Sequence, residues 1–485
     1  MKRFYVLAFV FISSFQLNAQ QLVSSEFGNT LEAFLLNFTV PGLNATFSVD
    51  SYSIQYITTD TEGVEHVATG LISIPQTSEQ MVFPLACFQH GTVAGRVDVP
   101  SNLMGGYELG AAFASNGYVV VSPDYVGLGE SPGVHPYVHA ETEASAAVDL
   151  LLAAREFIDG FDNLTLSDQL FISGYSQGGH AAMALQQEIE TNQSDLFTVT
   201  ASAPMSGPYS ISDRMIDFTL GDTEYFTVGY IAWLTIGYNR AYPVDLAEFT
   251  VERVFRPEFV ADVNEFKDET IDLWELNSRM INTLIVNDGV VLPRNTLQAD
   301  ILDGLLNDPT HPFSVAAQLN DTHNFITDTP TNLYYCMGDD QVTFENAILA
   351  EEVMTANGSS NVQAIRMDTD AALLDHGGCI IPASLATLGF FNDLVENPST
   401  STFDPEYSDF VSVQYYDKNI TVDMNEPGLN SAQLDIFHVS GQRIHTQQVS
   451  SGQTQLNLPA DQPGQYFVTI RSNKGLLNVT PMINP

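Results

Sequence analysis

Cysteine is scarce in this sequence. Its 485 residues include only three cysteines, Cys87, Cys336 and Cys379, which excludes the disulfide framework of a small secreted domain. Export would permit one bridge, between Cys336 and Cys379, and the sequence leaves open whether it forms, with Cys87 predicted to be a buried free thiol. Hydrophobic residues make up 44% of the chain, enough for a packed interior. Packing must therefore hold the protein together, and its length predicts more than one domain.

Basic side chains are also few. Sixteen lysines and arginines stand against 59 aspartates and glutamates, which gives a formal net charge of −43 at pH 7. This charge repels nucleic acid and anionic membrane surfaces, so neither is expected as a partner. A surface of this kind suits saline or cold water. Bound calcium is the alternative reading of the acidic residues, but no acidic loop has EF-hand spacing.

Long apolar runs are missing after the first residues. The chain begins Met-Lys-Arg, continues with an apolar run over residues 4–15, and reads Leu-Asn-Ala before residue 20. This order predicts a signal peptide over residues 1–19, with a buried N-terminal helix as the alternative. No later segment reaches about 18 uncharged apolar residues, so no stable membrane span is predicted.

The apolar pattern between about residues 50 and 396 indicates an α/β fold. Residues 52–58 and 66–74 alternate about a Glu-Gly pair and predict an antiparallel hairpin. Short continuous apolar runs, separated by helical stretches, then indicate a mainly parallel sheet buried on both faces. The predicted strands are residues 82–89, 118–122, 170–175, 197–203, 333–337 and 363–367. The predicted flanking helices are residues 107–115, 144–157, 179–190, 345–356 and 380–396.

A long stretch over about residues 207–328 interrupts this alternation. It has helical patterning and no clear buried strand, and a connection of this length must be structured or functional. We predict an inserted helical cap, whose segment 225–238 either lines a pocket or forms an ordinary buried helix. The large apolar side chains of that segment include Phe226, Ile231, Trp233 and Leu234.

The chain changes character again after residue 396, where the predicted catalytic domain of residues 20–396 ends. Residues 397–410 begin with Asn-Pro-Ser-Thr-Ser-Thr, which predicts a polar linker. Residues 411–485 contain alternating runs rich in Val, Ile, Thr and Tyr, broken by glycines. That pattern predicts a small C-terminal β-sandwich.

A Gly-x-Ser-x-Gly motif occupies residues 174–178, with Ser176 at its centre. A predicted strand ends just before the serine and a predicted helix follows it, which is the setting of a nucleophile elbow. In such an elbow the glycines relieve crowding at a sharp turn, and the serine hydroxyl projects above the sheet. Ser176 is therefore the predicted nucleophile.

A serine hydroxyl needs a base to become reactive, usually a histidine held by a carboxylate. On this fold the chain order of the three residues is serine, acid, histidine. Asp339 and Asp340 follow the strand predicted at residues 333–337, and His376 follows the last predicted strand of the sheet. The sequence therefore predicts a triad of Ser176, His376 and one of the two aspartates.

The tetrahedral intermediate also needs backbone N–H donors for its oxyanion. Gln177, directly after the serine, is the predicted first donor. Thr92 is the predicted second, because Gly91 beside it lets the backbone approach closely. His90 is predicted to brace this loop, with a role as the base as the alternative. No Cys/His cluster has metal-ligand spacing and no glycine-rich phosphate loop follows a strand, so neither a metal nor a cofactor is predicted.

Over about residues 50–395 the chain resembles the α/β-hydrolases of the secretory lipase group. The matching stretches are QHGT at 89–92, PDYVGLG at 123–129, HPY at 135–137, GYSQGG at 174–179 and DHGG at 375–378. The resemblance implies hydrolysis of esters or lipids, no cofactor, and a cap inserted after the sixth strand. In the hydrolases it resembles, the acid commonly stands three residues before a valine. Asp339 has Val342 at that spacing and Asp340 has no valine there, so the resemblance favours Asp339.

Residues 411–485 resemble the C-terminal sorting domain of type IX secretion in Gram-negative bacteria. The matching runs are LDIFHVSGQ at 434–442 and GQYFVTI at 464–470. The chain ends in VTPMINP rather than the usual lysine-rich finish. The resemblance implies passage through the periplasm and handling by the type IX machinery, which would deliver the protein to the cell surface or the medium.

Together these features predict a secreted serine esterase or lipase that forms an acyl-enzyme. A serine peptidase of the prolyl or aminopeptidase kind shares the elbow and triad, and an acidic cap residue that binds a free amino terminus would favour it. A catalytically silent surface-binding protein is the third alternative, and the intact triad opposes it. The sequence leaves open the acyl-chain length, interfacial activation and the oligomeric state.

Overall fold

The computed structural model describes most of residues 21–396 and 411–484. The described residues are 21–40, 42–396, 411–416, 419–424, 431–438, 443–457, 464–472 and 475–484. The predicted signal peptide and the predicted linker lie outside these residues.

A nine-stranded sheet forms the centre of the first region. Its strands are β1 (Leu22–Leu31), β2 (Val49–Thr59), β3 (Glu65–Pro75), β4 (Met81–Gln89), β5 (Val119–Pro123), β6 (Leu164–Tyr175), β7 (Val199–Met205), β8 (Thr331–Tyr335) and β9 (Val362–Arg366). They lie in the order β1-β2-β3-β5-β4-β6-β7-β8-β9. Strands β1, β2 and β3 pair antiparallel, β3 pairs antiparallel with β5, and the remaining pairs are parallel.

The predicted hairpin and all six predicted later strands are present in this sheet. Strand β1 was not predicted. It lies at the sheet edge and is largely exposed, so it carries no continuous apolar run. By contrast, every residue of β5 is buried, as expected of a strand covered on both faces.

Helices cover both faces of the sheet. They are α1 (Ala33–Thr39), α2 (Tyr107–Ala114), α3 (Ala140–Ile158), α4 (Gln177–Asn192), α12 (Glu345–Asn357) and α13 (His376–Asn392). One apolar core joins α3 and α4 to one set of strand side chains, and another joins α1, α2 and α13 to the alternate set. In β6, for example, Ile172 belongs to the first core and Phe171 to the second.

The cap lies between β7 and β8. Strand β7 is the sixth predicted strand when the two hairpin strands are counted. Its helices are α5 (Ile216–Thr219), α6 (Gly229–Ala241), α7 (Val251–Val254), α8 (Pro257–Lys267), α9 (Leu273–Asp288), α10 (Ala299–Asn307) and α11 (Pro312–Leu319). These helices share one apolar core, which includes Trp233, Phe259 and Leu276. Val93 and Tyr125, which lie outside the insertion, belong to the same core, so the cap packs directly onto the rest of the first region.

Two antiparallel sheets make up the C-terminal region. The strands are β10 (Val411–Tyr416), β11 (Asn419–Met424), β12 (Ser431–His438), β13 (Arg443–Ser450), β14 (Gly452–Asn457), β15 (Gly464–Ser472) and β16 (Gly475–Asn484). One sheet has the order β10-β11-β14 and the other β13-β12-β15-β16. Their buried residues, such as Val422, Leu434 and Val468, form one apolar cluster. In none of the described segments is a helix long and apolar enough to cross a membrane.

Candidate active site

Ser176 lies at the turn between β6 and α4 in a strained backbone conformation. Its φ of 61° and ψ of −123° are rarely adopted by a residue with a side chain, and such strain costs about 1–3 kcal/mol. The Ser176 N–H donates to the carbonyl of Met205 on β7 at 3.0 Å, which ties the turn to the next strand. The residue is 7% exposed. This geometry is that of a nucleophile elbow.

The glycines around Ser176 are sterically required. A Cβ atom at Gly174 would lie 2.2 Å from the carbonyl oxygen of Gly178, and one at Gly178 would lie 2.0 Å from that of Gln89. At Gly179 it would lie 2.6 Å from the carbonyl oxygen of Met205. Each of these contacts would be to backbone, which cannot move aside as a side chain can. The glycines of the motif are therefore required because the strands and the helix approach each other closely here.

His376 is the first residue of α13, and its ring faces Asp339. The His376 Nδ1 atom lies 2.8 Å and 2.9 Å from the two carboxylate oxygens of Asp339, and both residues are buried. Asp339 also accepts the backbone N–H groups of Gln341 at 3.0 Å and Val342 at 2.8 Å. The turn from Asp339 to Val342 therefore closes on the carboxylate.

The neighbouring Asp340 contacts His376 at a different place. Its carboxylate accepts the backbone N–H of His376 at 3.1 Å, whereas the ring nitrogen is bound by Asp339. The two adjacent aspartates therefore both contact one histidine, Asp339 at its ring and Asp340 at its backbone.

Tyr175 links the elbow to His376. It precedes Ser176 in the chain, its hydroxyl donates to the carbonyl of His376 at 2.5 Å, and the two ring centroids lie 4.9 Å apart. Burial raises the pKa of Tyr175 well above its ordinary value, so the phenol stays neutral and donates. The elbow and the start of α13 are thus joined directly.

A disulfide and a buried carboxylate hold the acid and the histidine together. Cys336 and Cys379 form a bridge between the end of β8 and α13, with their Cα atoms 6.0 Å apart. Cys87 is a buried free thiol. Sequence reasoning missed the carboxylate of Asp368, which accepts the N–H groups of Gly338 at 3.1 Å and Leu374 at 3.2 Å.

Arg366 completes this support. Its Nε donates to Asp368 at 2.7 Å. Burial alone would raise the pKa of Asp368, but the bonds from Arg366 and the backbone N–H groups outweigh it and lower the pKa to about 2. The carboxylate therefore stays charged and fixes the loop that leads into His376.

The predicted oxyanion loop lies against the elbow. A Cβ atom at Gly91 would lie 3.2 Å from the carbonyl oxygen of Tyr175 and 3.6 Å from the Cβ of Ser176, which puts Thr92 close to the serine. The Thr92 hydroxyl lies 2.7 Å from that of Tyr137. Gln177 is the first residue of α4, where backbone N–H groups have no partner within the helix. Gln177 therefore directly follows Ser176, and Gly91, the residue before Thr92, lies against the elbow.

His90 faces backbone rather than the serine. Its Nδ1 lies 2.7 Å from the carbonyl of Gly91, and its Nε2 lies 3.3 Å from that of Asp124. The hydroxyl of Tyr125 donates to the carbonyl of His90 at 2.9 Å. These bonds support the bracing role and leave neither ring nitrogen directed to Ser176.

A cavity of about 1010 Å³, including its open mouth, extends from Ser176 into the cap. Ile231 and Leu234 line it together with three tyrosines of segment 225–238, which agrees with the first of the two alternatives for that segment. Trp233 packs instead into the cap core, and Phe226 is exposed. Further apolar lining comes from α10, α11 and other cap residues, namely Val254, Leu297, Ile301, Leu305, Phe313 and Ala317. The cavity is thus an apolar space that opens at the serine.

No metal site accompanies this arrangement in the described residues: no group of three or more His, Cys, Asp or Glu side chains is placed to hold an ion. The site thus combines a strained serine, a histidine held by an aspartate and an apolar cavity.

Comparison with known proteins agrees with both regions. The secretion system C-terminal sorting domain matches residues 416–483. A search of curated protein sequences finds no match. Among solved structures, a rice cell wall degrading esterase, LipA from Xanthomonas oryzae, is 26% identical with a TM-score of 0.67, over 78% of this chain and 99% of its own. The predicted sorting domain is therefore confirmed, and export by that route to the cell surface or the medium follows.

Two further solved structures share the fold of the first region. A putative hydrolase from Legionella pneumophila is 23% identical with a TM-score of 0.69, over 79% of this chain and 100% of its own. Lipase A from Candida antarctica is 16% identical with a TM-score of 0.57, over 79% of this chain and 84% of its own. The predicted α/β-hydrolase fold is therefore confirmed.

Proposed function

We propose that this chain is a secreted serine hydrolase that cleaves carboxylic esters through an acyl-enzyme on Ser176. The observation that carries the proposal is the strained Ser176, joined through Tyr175 to an aspartate-held His376, at the mouth of an apolar cavity. The likeness to a bacterial esterase supports ester chemistry.

In the proposed reaction, Nε2 of His376 takes the proton of the Ser176 hydroxyl as Oγ attacks the ester carbonyl carbon. Asp339 holds the other ring nitrogen and stabilises the imidazolium that forms. The N–H groups of Gln177 and Thr92 stabilise the negative oxygen. His376 then gives its proton to the leaving alcohol, and a water activated by the same histidine releases the acid from Ser176.

The cavity supports an apolar acyl group as the part of the substrate that enters the cap. Its described lining contains tyrosines, aliphatic side chains and a few uncharged polar groups, and none of those lining residues is charged. An aminopeptidase would need an acidic group there to pair with a free amino terminus. The lining therefore favours an ester with an aliphatic acyl chain over a peptide.

Substitution of the nucleophile tests the proposal. Ser176→Ala should leave a folded protein and remove nearly all ester hydrolysis, since loss of a triad member costs a factor of about 10⁶ in kcat. A fluorophosphonate probe should label the wild type and not the variant. Turnover of nitrophenyl esters that persists in the variant would refute the role of Ser176, and faster cleavage of amino-acid anilides than of esters would favour a peptidase. A wild type that the probe does not label would favour the silent binding protein.

The C-terminal region is proposed to act as an address and not as part of the site. A chain truncated after Asn397 should hydrolyse esters at the full rate and remain in the periplasm of a type IX secreting host. Fractionation of cells with a nitrophenyl ester assay measures both effects. Loss of hydrolysis in the purified truncated protein would show that the C-terminal region supports the active site instead.

A further inference from the structure

Beside the elbow lies a buried polar cluster whose side chains have no part in the proposed reaction. Its members are Glu143 on α3, Gln177 and His180 on the first turn of α4, His135 in the loop before α3, and Asn320 at the end of the cap. Each of them is at most 3% exposed. Burying a charged carboxylate among these residues is costly unless every bond is made, so the cluster calls for an explanation.

The Gln177 amide has both of its N–H bonds fixed. Its Nε2 lies 2.9 Å from a carboxylate oxygen of Glu143 and 3.0 Å from Nε2 of His135. His135 Nδ1 faces the carbonyl of Val126 at 2.8 Å and must donate there. Burial holds the pKa of His135 at about 3, so the ring is neutral and its Nε2 accepts from Gln177. The side chain of Gln177 therefore has one possible orientation.

Glu143 and His180 share one proton between them. The His180 Nε2 atom lies 2.8 Å from the carbonyl of Asn320, which can only accept, so this nitrogen carries hydrogen. The His180 Nδ1 atom lies 2.7 Å from the second carboxylate oxygen of Glu143, and that short contact needs one more hydrogen. The pair is thus neutral overall whichever partner holds the proton, and it places no net charge behind the oxyanion.

Glu143 therefore clamps the first turn of α4 at two points three residues apart. The first point is Gln177, whose backbone N–H is the proposed oxyanion donor, and it directly follows the strained Ser176. Strained backbone persists only where surrounding contacts over-determine it. Asn320 extends the clamp into the cap, because its side chain donates to Tyr242 at 2.8 Å and accepts from Ala140 at 2.9 Å.

We propose that Glu143 and His180 are positioning residues that hold the Gln177 N–H in line with the oxyanion. This inference rests on the proposed function, since it assigns a task within the same reaction. A clamp that only stabilised the fold would change the melting temperature and leave the rate per active site unchanged. A positioning clamp would lower kcat with little change in KM, because the oxyanion exists only after attack.

The main test replaces the pair by apolar residues. Exchange of a buried ion pair for hydrophobic side chains is often neutral or stabilising, so Glu143→Leu with His180→Leu should fold while leaving the Gln177 amide bonded to His135 alone. We expect kcat to fall about 10- to 100-fold, below the loss of about 10²–10³ seen when an oxyanion donor is removed altogether. KM should stay within about 2-fold, and a boronic acid that mimics the tetrahedral intermediate should bind more weakly by the same factor as kcat falls.

Two single variants provide matched controls. Glu143→Gln can accept from Gln177 and donate to a neutral His180, so it should retain kcat within about 3-fold. Asp149→Ala removes another carboxylate of α3, half-buried and away from α4's first turn, and should leave kcat unchanged. Wild-type kcat per probe-labelled site in the double variant, or an equal loss in Asp149→Ala, would overturn the inference.

The rate of fluorophosphonate labelling separates this inference from the proposed function. Attack of Ser176 on the probe passes through a similar negative oxygen, so the double variant should also label 10- to 100-fold more slowly. If the wild type labels but cleaves no ester, the proposed substrate class fails while the labelling rates still decide the clamp. Equal labelling rates for the double variant and the wild type would refute the clamp.

Discussion

The elbow and the cap are specified by the sequence in different ways. Around Ser176 a Cβ atom added to Gly174, Gly178 or Gly179 would lie 2.0–2.6 Å from a backbone oxygen, so single residue types are required at fixed positions. In the cap, the cavity wall consists of apolar side chains on several helices, and many combinations of such residues would enclose the same volume. The elbow therefore leaves a motif in the sequence and the cap does not, which is why the chemistry is readable from residues and the substrate is not.

The sharpest test of this contrast replaces the carboxylate that holds His376 by an amide of the same size. Asp339→Asn should lower kcat by about 10⁴, because an amide cannot hold the same imidazole tautomer or stabilise the imidazolium. Asp340→Asn is the matched control. It keeps an oxygen that accepts the His376 N–H, so its kcat should stay within a few-fold of the wild type. Steady-state kinetics with circular dichroism measure both, and the reverse ranking in folded proteins would assign the acid to Asp340.

A cap substitution should instead change which substrate fits. Ala317 lines the cavity from the cap helix α11, so Ala317→Phe should reduce kcat/KM for a twelve-carbon acyl ester by about 10-fold or more while an acetyl ester is cleaved as before. Leu319→Phe, on the same helix but 63% exposed, should alter neither. Equal losses on both esters would show that the cavity does not hold the acyl chain.

Sequence reasoning worked where local backbone demands are strict. The elbow, the serine–acid–histidine order and the alternation of buried strands each follow from short-range rules, and the fold built on them is observed. The side chains that support the site were not foreseen, because Asp368 and Glu143 act through partners far away in the chain.

One of them did leave a signal. Glu143 falls on the buried stripe of α3 with Ala147, Leu150 and Ala154, at helical spacing, and a charge on an apolar stripe indicates a buried partner. The edge strand β1 left no comparable trace, since its exposed residues have no core to match.

Low pH should destabilise the loop that supports His376, which lies outside the cap. The pKa of Asp368 is about 2 in the folded protein, below its ordinary value of 3.8, so its stabilisation is complete above about pH 4 and is lost as the pH falls toward 2. Asp368→Asn should lower stability at pH 7 by about 1.5–3 kcal/mol, the range for hydrogen bonds to charged groups. It should also lessen the acid-induced drop in melting temperature. An unchanged drop would place the acid sensitivity in other carboxylates.

The smallest expected effect lies where the two regions meet. Arg96, which lies outside the cap, donates from Nε to both carboxylate oxygens of Glu269 in the cap, at 2.9 and 3.0 Å. Its guanidinium also donates to the carbonyls of Ser131 and Gly133. The two side chains are 27% and 54% exposed, and exposed ion pairs contribute about 0.2–1 kcal/mol. Glu269→Gln should therefore lower the melting temperature by only a few degrees at low salt. In 1 M salt, where screening acts over about 3 Å, the variant and the wild type should have the same melting temperature.

Neither kcat nor the preference among acyl chains should change in this variant, because the cavity wall is built from apolar packing. A changed chain-length profile in this variant would mean that the ion pair sets the position of the cap, and that apolar packing alone does not decide which acyl chain fits.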